Sequence, residues 1–428
     1  MLDDLESNLM KADQKETTSS QFVIKPFNLP GLQQNINILS ISSSKKYVYL
    51  LTDRSELLRI ESNSLKPIQQ AYSLISSNSS SVPKFNETFN KIWTDRVGNH
   101  SIIRYNGRIY YFNSKDTKVK ELKTLAGIEV CAVGFDDRNE NEDSTGNFLV
   151  TDYYNNIYEC NISFSLLKYS KGEYEVVDTT KKLIQLNFKD GDEEGDDSKD
   201  INDRIYGIKF FRATKNNLGM NDNARYIVAV TKNRLYQFRG PGEQSFSQIF
   251  MRYEKHLDFN DSCKYFPTKK KNFRGSDLDI LYKSEQRNVG NRTQVLDVMS
   301  NFGWKTESGF CFGNFTYDSN GLPNELRKFT VIPFAKISSS GTKDIGEEPT
   351  SVIHTNNHIF ILYNDCLSVI SKLTSNIIHT QYLNTEYNQM IYNEFSPNNG
   401  NIFLISRKGL FQISLKEENT DIWEDYLE

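Results

Sequence analysis

The 428-residue sequence lacks the features that mark secreted, membrane-spanning and zinc-finger proteins. Its five cysteines are widely separated and include no C-x-x-C pair: Cys131, Cys160, Cys263, Cys311 and Cys366. No apolar run approaches the roughly 18 residues that span a bilayer, and the chain starts with Asp3, Asp4 and Glu6 where a signal peptide would be basic. We therefore expect no disulfide framework, zinc finger or transmembrane helix, and a reducing, cytoplasmic compartment.

The charge balance favours no particular partner. The chain has 51 basic and 55 acidic residues and a net charge of −4, which argues against a nucleic-acid partner. Aromatic residues, by contrast, are abundant at 12%, while all hydrophobic residues together reach only 37%. The low hydrophobic share predicts a core that is thin or divided into small layers, and the Tyr and Phe residues suit half-buried β-strands.

A pair of apolar strands joined by a short polar turn recurs seven times along the chain. The pairs span residues 47–52 with 57–60, 101–105 with 109–112, 148–151 with 157–160, 226–231 with 235–238, 301–304 with 310–312, 359–363 with 367–370, and 402–406 with 410–413. Successive second strands begin 43 to 57 residues apart, except for two intervals of 78 and 75. Because a four-stranded blade needs about 40–50 residues, the pattern predicts an all-β, seven-bladed β-propeller; the alternative is one or two β-sandwiches.

The two ends of the chain predict how the ring closes. Residues 22–27 are an unpaired strand candidate, and the last hairpin leaves its blade one strand short, so pairing the two would remove exposed edges. We expect a disordered tail at residues 1–20, the propeller at 21–415, and a linker with the first turns of a helix at 416–428. Trp423, Tyr426 and Leu427 lie at helical spacing in that last segment.

Two inserts are expected within the long intervals. Residues 189–200 (KDGDEEGDDSKD) predict a solvated acidic loop, and residues 264–274 (KYFPTKKKNFR) combine basic and aromatic side chains. The candidate contacts to an anionic membrane surface are Lys264, Lys269, Lys270, Lys271 and Arg274. The alternative is a solvated loop whose aromatic residues cover the edge of a blade.

Two short motifs imitate ligand sites. Residues 341–346 have the glycine spacing of a phosphate loop, but Glu347 and Glu348 stand where Lys and Ser/Thr would bind phosphate and Mg²⁺. His354 and His358 have a zinc-ligand spacing for a helix, but the apolar run beside them predicts a strand, so we interpret them as polar strand-end residues. No G-x-S-x-G, H-E-x-x-H or kinase H-R-D motif is present. We therefore predict no enzymatic activity, no cofactor and no metal.

Several segments together resemble a known family. The strongest are GLFQI at residues 409–413 and DIWEDYL at 421–427, which look like a last propeller strand followed by a D-x-W-x-x-Y-L helix. Supporting segments lie at residues 56–61, 91–104 with Asp95 and Gly98, 144–150 and 231–238. These segments resemble the amino-terminal propeller of the deep orange family, vacuolar protein sorting protein 18, over roughly residues 21–428.

This resemblance implies a function. Such propellers precede a long α-solenoid and a RING-type zinc domain, so the helix at 416–428 would begin the solenoid and the chain would be a piece of a longer protein. The family's subunits belong to the HOPS and CORVET complexes, which tether endosomal and vacuolar membranes. The expected partners are the other class C subunits and, indirectly, Rab GTPases and SNAREs. The alternatives are an enzymatic or small-ligand propeller with a site in the central channel and a propeller of another coat or nuclear-pore scaffold.

Overall fold

The computed structural model of the protein describes residues 22–27, 36–74, 89–170, 173–186, 204–214, 223–242, 244–252, 255–258, 275–289, 292–307, 309–318, 323–324, 326, 329–337, 343–345, 348–396 and 400–415. Across these residues the strands form seven four-stranded antiparallel sheets and one two-stranded sheet. The four-stranded sheets follow one another along the chain, and each is one blade of a ring. The predicted all-β, seven-bladed propeller is confirmed.

The first strand, β1 (Lys25–Pro26), belongs to the last blade. Blade 1 contains β2 (Ile38–Ser43), β3 (Tyr47–Thr52), β4 (Glu56–Glu61) and β5 (Pro67–Ser73). Blade 2 contains β6 (Lys91–Thr94), β7 (His100–Tyr105), β8 (Arg108–Asn113) and β9 (Lys120–Glu121), followed by a 3₁₀ turn at Lys123–Leu125. Blade 3 contains β10 (Val130–Gly134), β11 (Ser144–Asp152), β12 (Asn156–Ser170) and β13 (Glu173–Gln185). In each blade the first strand is innermost.

The remaining blades follow the same order. Blade 4 contains β14 (Gly207–Thr214), β15 (Asn223–Val230), β16 (Arg234–Pro241), the one-turn helix α1 (Phe246–Phe250) and β17 (Lys255–Asp258). Blade 5 contains β18 (Asp277–Val289), β19 (Arg292–Lys305), β20 (Gly309–Asn314) and β21 (Thr330–Pro333), after which β22 (Ala335–Ile337) and β23 (Lys343–Ile345) form the separate hairpin. Blade 6 contains β24 (Ser351–His354), β25 (His358–Leu362), β26 (Cys366–Ser371) and β27 (Ile377–Tyr382). Blade 7 contains β28 (Tyr387–Asn393), β29 (Asn401–Ser406) and β30 (Gly409–Ser414).

The seven predicted hairpins are the second and third strands of the seven blades. Four turn residues of these hairpins have positive φ: Asn106, Gly107, Asn155 and Gly409. Glycine adopts this conformation without a steric penalty, and asparagine tolerates it because its side chain can hydrogen-bond to the nearby backbone. These strands were recognisable because neighbouring blades cover both of their faces, which selects continuous apolar runs.

The ring closes between the two ends of the propeller, as predicted. Lys25 and Pro26 of β1 pair with Gln412 and Phe411 of β30, and Phe27 N–H donates to the Leu410 carbonyl at 2.9 Å. The strand is shorter than the candidate at residues 22–27, and Phe22 packs in the hydrophobic layer between blades 6 and 7 instead of pairing with β30. Phe27, which follows the strand, also packs through its side chain, and its ring centre lies 5.4 Å from that of Phe403.

The hydrophobic core is divided among the blades. The described residues form seven buried clusters, which we call interblade layers, one between each pair of neighbouring blades. Between blades 7 and 1, for example, Val48 and Leu50 of β3 meet Phe403 and Ile405 of β29. The predicted division of the core into small layers is confirmed.

Two blades carry long hairpins that the sequence pattern did not predict. Strands β12 and β13 have 15 and 13 residues and stay paired out to Ser170 and Glu173. Strands β18 and β19 have 13 and 14 residues and stay paired out to Val289 and Arg292. These hairpins occupy part of the two long intervals that we had assigned to loop inserts alone. The inserts at 189–200 and 264–274, the tail at 1–20 and the segment at 416–428 lie outside the described residues.

Candidate functional site in the central channel

The innermost strands of the blades surround a central channel with a cavity of about 150 Å³. Six of the seven blades contribute to its wall. Both aromatic rings and charged groups line it, among them Arg96, Asp137, Lys209, Asp279, Tyr282 and Glu394. These charged side chains distinguish the channel from the interblade layers, which are clusters of hydrophobic residues. The channel is therefore a candidate site for binding a polar group.

A tight turn between β6 and β7 presents Arg96 to the channel. The buried carboxylate of Asp95 accepts hydrogen bonds from the backbone N–H groups of Gly98 at 2.9 Å and His100 at 3.0 Å. Gly98 has φ +96°, and a side chain there would collide with the hydroxyl of Ser44. Asp95 and Gly98 thus fix the turn, and Arg96, which follows Asp95 in the sequence, is held facing the channel.

Arg96 reaches across the channel and connects three blades. Its guanidinium pairs with Asp297 of β19 at 3.0 Å and with Glu394, which follows β28, at 2.7 Å. The same group lies 3.6 Å from the centre of the Tyr282 ring and 5.3 Å from that of Phe395. Two carboxylates and two aromatic faces around one guanidinium form a complete charge-assisted and cation–π site. Blades 2, 5 and 7 are thereby joined inside the ring.

The surroundings of Arg96 alter the pKa values of these groups. Burial acts to lower the pKa of Arg96, but the Glu394 charge and the Tyr282 ring outweigh it, so its pKa is raised. Burial raises the pKa of Asp297 in isolation, yet hydrogen bonds from Ser284 and Arg96 make the net shift downward. For Glu394 burial dominates, and its pKa is raised in spite of Arg96. Arg96 remains charged at any physiological pH.

Asp137 is the channel carboxylate that is least compensated. Burial raises its pKa to about 7, and the neighbouring Asp136 charge acts in the same direction. Its Oδ1 atom is buried without a hydrogen-bond partner. The Asp136 carboxylate, by contrast, forms an ion pair with Arg212, with 2.6 Å between Oδ2 and Nε. The Arg138 and Arg96 charges act against the shift in the pKa of Asp137 without outweighing it, so near neutral pH Asp137 is only partly ionised.

Asp279 lies on the innermost strand β18 and is a second carboxylate of this kind. Its enclosure in the ring raises its pKa to about 6; Lys209 acts against this shift and Asp277 acts with it. The side chain nevertheless keeps 41% of its surface exposed, because it faces the channel. Asp279 is thus an accessible carboxylate in a site shielded from bulk water.

The two histidines singled out from the sequence lie close to this carboxylate but form no metal site. His354 ends β24 and His358 begins β25, so they lie on two strands joined by a turn and not on the single strand that we predicted. Both are strand-end residues, as we interpreted them, and both are buried. Buried aromatic and strand neighbours cover them, a feature that local sequence does not reveal. Among the described residues no cluster of His, Cys, Asp or Glu side chains could hold a metal ion.

His354 contacts the channel wall from inside blade 6. The Lys372 ammonium lies 2.9 Å from its Nδ1 and can only donate, so Nδ1 accepts and Nε2 carries the hydrogen. Nε2 lies 3.7 Å from the Asp279 carboxylate and makes no hydrogen bond. Burial and the nearby Lys372 charge place the pKa of His354 well below its usual value. A neutral imidazole is therefore directed at a channel carboxylate without neutralising it.

The site residues predicted from the basic insert lie outside the described residues. Lys264, Lys269, Lys270, Lys271 and Arg274 all fall in the undescribed segment 259–274, so their contact with an anionic surface stays a prediction. Of the phosphate-loop look-alike at 341–346, Lys343–Ile345 form β23 and the other three residues lie outside the described residues. The channel residues were missed because no motif joins them; the one signal was the segment 91–104, quoted for Asp95 and Gly98, which contains Arg96.

The fold and the channel define a class of protein: a seven-bladed β-propeller closed by its own first strand, with charged groups inside the ring. The family model of the Pep3/Vps18/deep orange β-propeller domain matches residues 20–415. The chain belongs to this family, and the resemblance inferred from the sequence is confirmed. The family is one of vacuolar sorting proteins and not a known class of enzymes.

Individual relatives are distant. Vacuolar sorting protein 18 of Arabidopsis thaliana is 21% identical over 356 residues, which cover 80% of this chain and 31% of that protein. The chain thus spans about a third of this relative's length. Among solved structures, the SCAP WD40 domain of fission yeast matches over 94% of this chain and 100% of its own with 8% identity and a TM-score of 0.46. The Swd1 β-propeller domain of Myceliophteria thermophila matches over 89% of this chain and 99% of its own with 9% identity and a TM-score of 0.46.

Proposed function

We propose that this propeller is the amino-terminal part of a HOPS- or CORVET-type tethering subunit and that it works as a non-catalytic interaction platform. The observation that carries the proposal is the family match over residues 20–415. The A. thaliana relative, named for vacuolar sorting, supports the same assignment. In the part of the chain that the structure describes, no helix has the length and apolar character needed to cross a bilayer.

The mechanism that we propose is geometric. Interblade layers and the Arg96 contacts between blades 2, 5 and 7 keep the ring rigid, so the loops on its faces hold fixed positions. A rigid disc offers flat areas for partner proteins, and a following solenoid would hold it at a set distance from the core of the complex. The proposed partners are the other class C subunits, with Rab GTPases and SNAREs reached through them, at the late endosomal and vacuolar membrane.

The experiment is affinity purification of the full-length parent protein from its own cells, with identification of the bound proteins by mass spectrometry. We expect the class C vacuolar sorting subunits to co-purify in near-equal amounts. Finding none of them would overturn the assignment. Finding coat or nuclear-pore subunits in their place would identify a scaffold of the other kind.

A second bait separates the platform from the rest of the protein. The full-length parent without residues 1–415 should retain the core class C subunits, because the solenoid holds them in this proposal, and should lose Rab- and SNARE-associated proteins. The matched control is the parent with Asp143→Asn, an exposed charge change outside the channel. An unchanged set of partners after loss of the propeller would contradict its role as a platform.

One observation favours a ligand inside the ring as well. Asp279 on β18 converges on the cavity with Arg96, Asp137 and Glu394, which follow the innermost strands β6, β10 and β28. The lining hydroxyls of Ser43 and Thr94 are hydrogen-bonded to Asn393 and Ser101 and not to a base, so the second candidate function is the binding of a ligand.

A further inference from the structure

The cavity in the channel has the size of a small organic group. Its volume of about 150 Å³ is close to that of an engineered protein cavity that holds one benzene molecule. Unlike that dry cavity it is lined by charged side chains, so an apolar guest would leave them without partners. The guest that fits must therefore be compact and polar.

The sign of the guest's charge follows from the groups that are already paired. Arg96 is compensated by Asp297 and Glu394. Of the remaining lining groups, Asp137 and Asp279 carry two negative charges and Lys209 carries one positive charge. Because one Arg96 charge faces two carboxylates, the ionised groups together have an excess of two negative charges, which a bound cation would reduce. The buried Oδ1 of Asp137 has no hydrogen-bond partner and is an acceptor without a donor.

The chemistry of the wall points in the same direction. The channel already holds one guanidinium, that of Arg96, against the ring of Tyr282 at 3.6 Å. Phe135 and Tyr392, which are partly exposed, also line the cavity, so more aromatic surface is present than Arg96 covers. Aromatic faces together with carboxylates are the groups that bind ammonium and guanidinium ions in proteins.

An independent observation is His354, which is fully buried and has an unpartnered Nε2 directed at Asp279 at 3.7 Å. Because Lys372 occupies the other ring nitrogen, Nε2 can only supply an N–H to this carboxylate. Such a group orients Asp279 but leaves its charge free for a cation in the channel.

We propose that the central channel is a binding site for a compact organic cation, an ammonium or guanidinium group, with Asp137 and Asp279 as its carboxylate partners. The cation has two sources: a free small molecule, or a lysine or arginine side chain that a partner protein inserts into the channel. The proposal is independent of the tethering function, since each can fail while the other stands.

The test is calorimetric titration of the 428-residue chain with methylguanidinium chloride at pH 8 and low salt. A ligand of this size should bind with a dissociation constant on the order of 1 mM. Asp137→Asn and Asp279→Asn should each weaken binding about tenfold or more, because each removes a charged acceptor. Asp143→Asn is the matched control: its side chain is 73% exposed, so binding should not change.

Several outcomes would overturn the proposal. These are no binding by the parent, equal binding by the parent and the Asp137→Asn variant, or binding of acetate where methylguanidinium fails. The Asn variants keep the shape of the side chain and remove a poorly compensated charge, so a melting curve at least as high as that of the parent shows that they are folded.

A second titration distinguishes the two sources. It uses a blocked tripeptide with arginine between two glycines and, as its neutral match, the same peptide with citrulline. Tighter binding of the arginine peptide than of methylguanidinium supports an inserted side chain. Binding of methylguanidinium alone supports a free cation. If neither binds, the channel is not a cation site.

Discussion

The interblade layers and the central channel are built from the same strands with opposite chemistry. On β18, Leu278 and Ile280 are buried in the layer between blades 4 and 5. Asp279 between them keeps 41% of its side-chain surface exposed and lines the channel together with Ile280, Leu281 and Tyr282. One strand thus contributes to both environments. The layers bury apolar surface and stabilise the ring, whereas several channel carboxylates have raised pKa values and are costly to ionise. The apolar contacts that stabilise the ring and the carboxylates that are costly to ionise thus lie in different parts of the same blades.

Opening the ring should have the largest effect on stability. Removal of residues 1–30 takes away β1 and with it Phe22, which is 3% exposed, and Phe27, whose ring centre lies 5.4 Å from that of Phe403. One buried and one partly buried aromatic side chain are lost, so we expect a loss on the order of 5 kcal/mol or insoluble protein. Removal of residues 1–20 leaves β1 intact and should not change the melting curve. Equal melting of the parent and the longer deletion would show that β1 does not hold the ring closed.

A cavity in one interblade layer should have the next largest effect. Trp304 is 1% exposed, and its Nε1 donates to the Thr231 carbonyl and to the Ser276 hydroxyl, both at 3.0 Å. Trp304→Ala should cost about 3–5 kcal/mol in urea denaturation, from the cavity and the unpaired acceptors. Trp304→Phe keeps most of the volume and should cost about 1–2 kcal/mol. Similar losses for both variants would assign the whole effect to the hydrogen bonds and not to the layer.

The cross-channel contact of Arg96 should have a smaller, pH-dependent effect. Arg96→Met leaves Asp297 and Glu394 without their counter-charge and should cost about 1–3 kcal/mol at pH 7.5, since both carboxylates are partly exposed. The pKa of Glu394 is raised, so the loss should shrink as pH falls to 4.5 and Glu394 is protonated. The pKa of Asp297 is lowered, so this carboxylate stays ionised and keeps its part of the stabilisation. Denaturation at pH 7.5 and at pH 4.5 checks this. A loss that is the same at both values would mean that Arg96 acts by packing alone.

The smallest effect concerns Asp137. Its pKa of about 7 in the folded protein lies above the usual 3.8, so between these values the folded state holds a proton that the unfolded state has released. Stability should therefore fall as pH rises from about 4 to about 7, by on the order of 2 kcal/mol from this group. The charges that surround it are Asp136, Arg138 and Arg96. In Asp137→Asn the free energy of unfolding should fall less between about pH 4 and about pH 7 than in the parent. An equal fall in both proteins would show that another group is responsible for the pH dependence.

The sequence predicted the second and third strands of every blade because their apolar runs are continuous and their turns are short. It did not predict the innermost strands, since a segment such as DLDILYK at 277–283 mixes charged and apolar residues and matches neither a buried strand nor a loop. The long hairpins were missed because their outer halves, such as NISFSLLKYS at 161–170 and KSEQRNV at 283–289, also mix polar and apolar residues or are polar.

The channel could not be predicted from the sequence. Arg96 and its partner Asp297 are 201 residues apart, and no local pattern relates them. Only the folded ring brings them together. The basic insert, in contrast, is obvious in the sequence, and its test remains replacement of Lys269, Lys270 and Lys271 by Glu. Weaker, salt-sensitive binding of the parent protein to anionic liposomes is the predicted result, and equal co-sedimentation would exclude a lipid contact.

We infer that the channel carboxylates reduce stability, while the interblade layers hold the ring together. The most direct measurement is the melting temperature of the Asp137→Asn/Asp279→Asn double variant at pH 8, where both carboxylates are ionised in the parent. The account predicts a higher melting temperature than that of the parent, because two poorly compensated charges are removed. A lower melting temperature would contradict it and show that these carboxylates are part of what stabilises the fold.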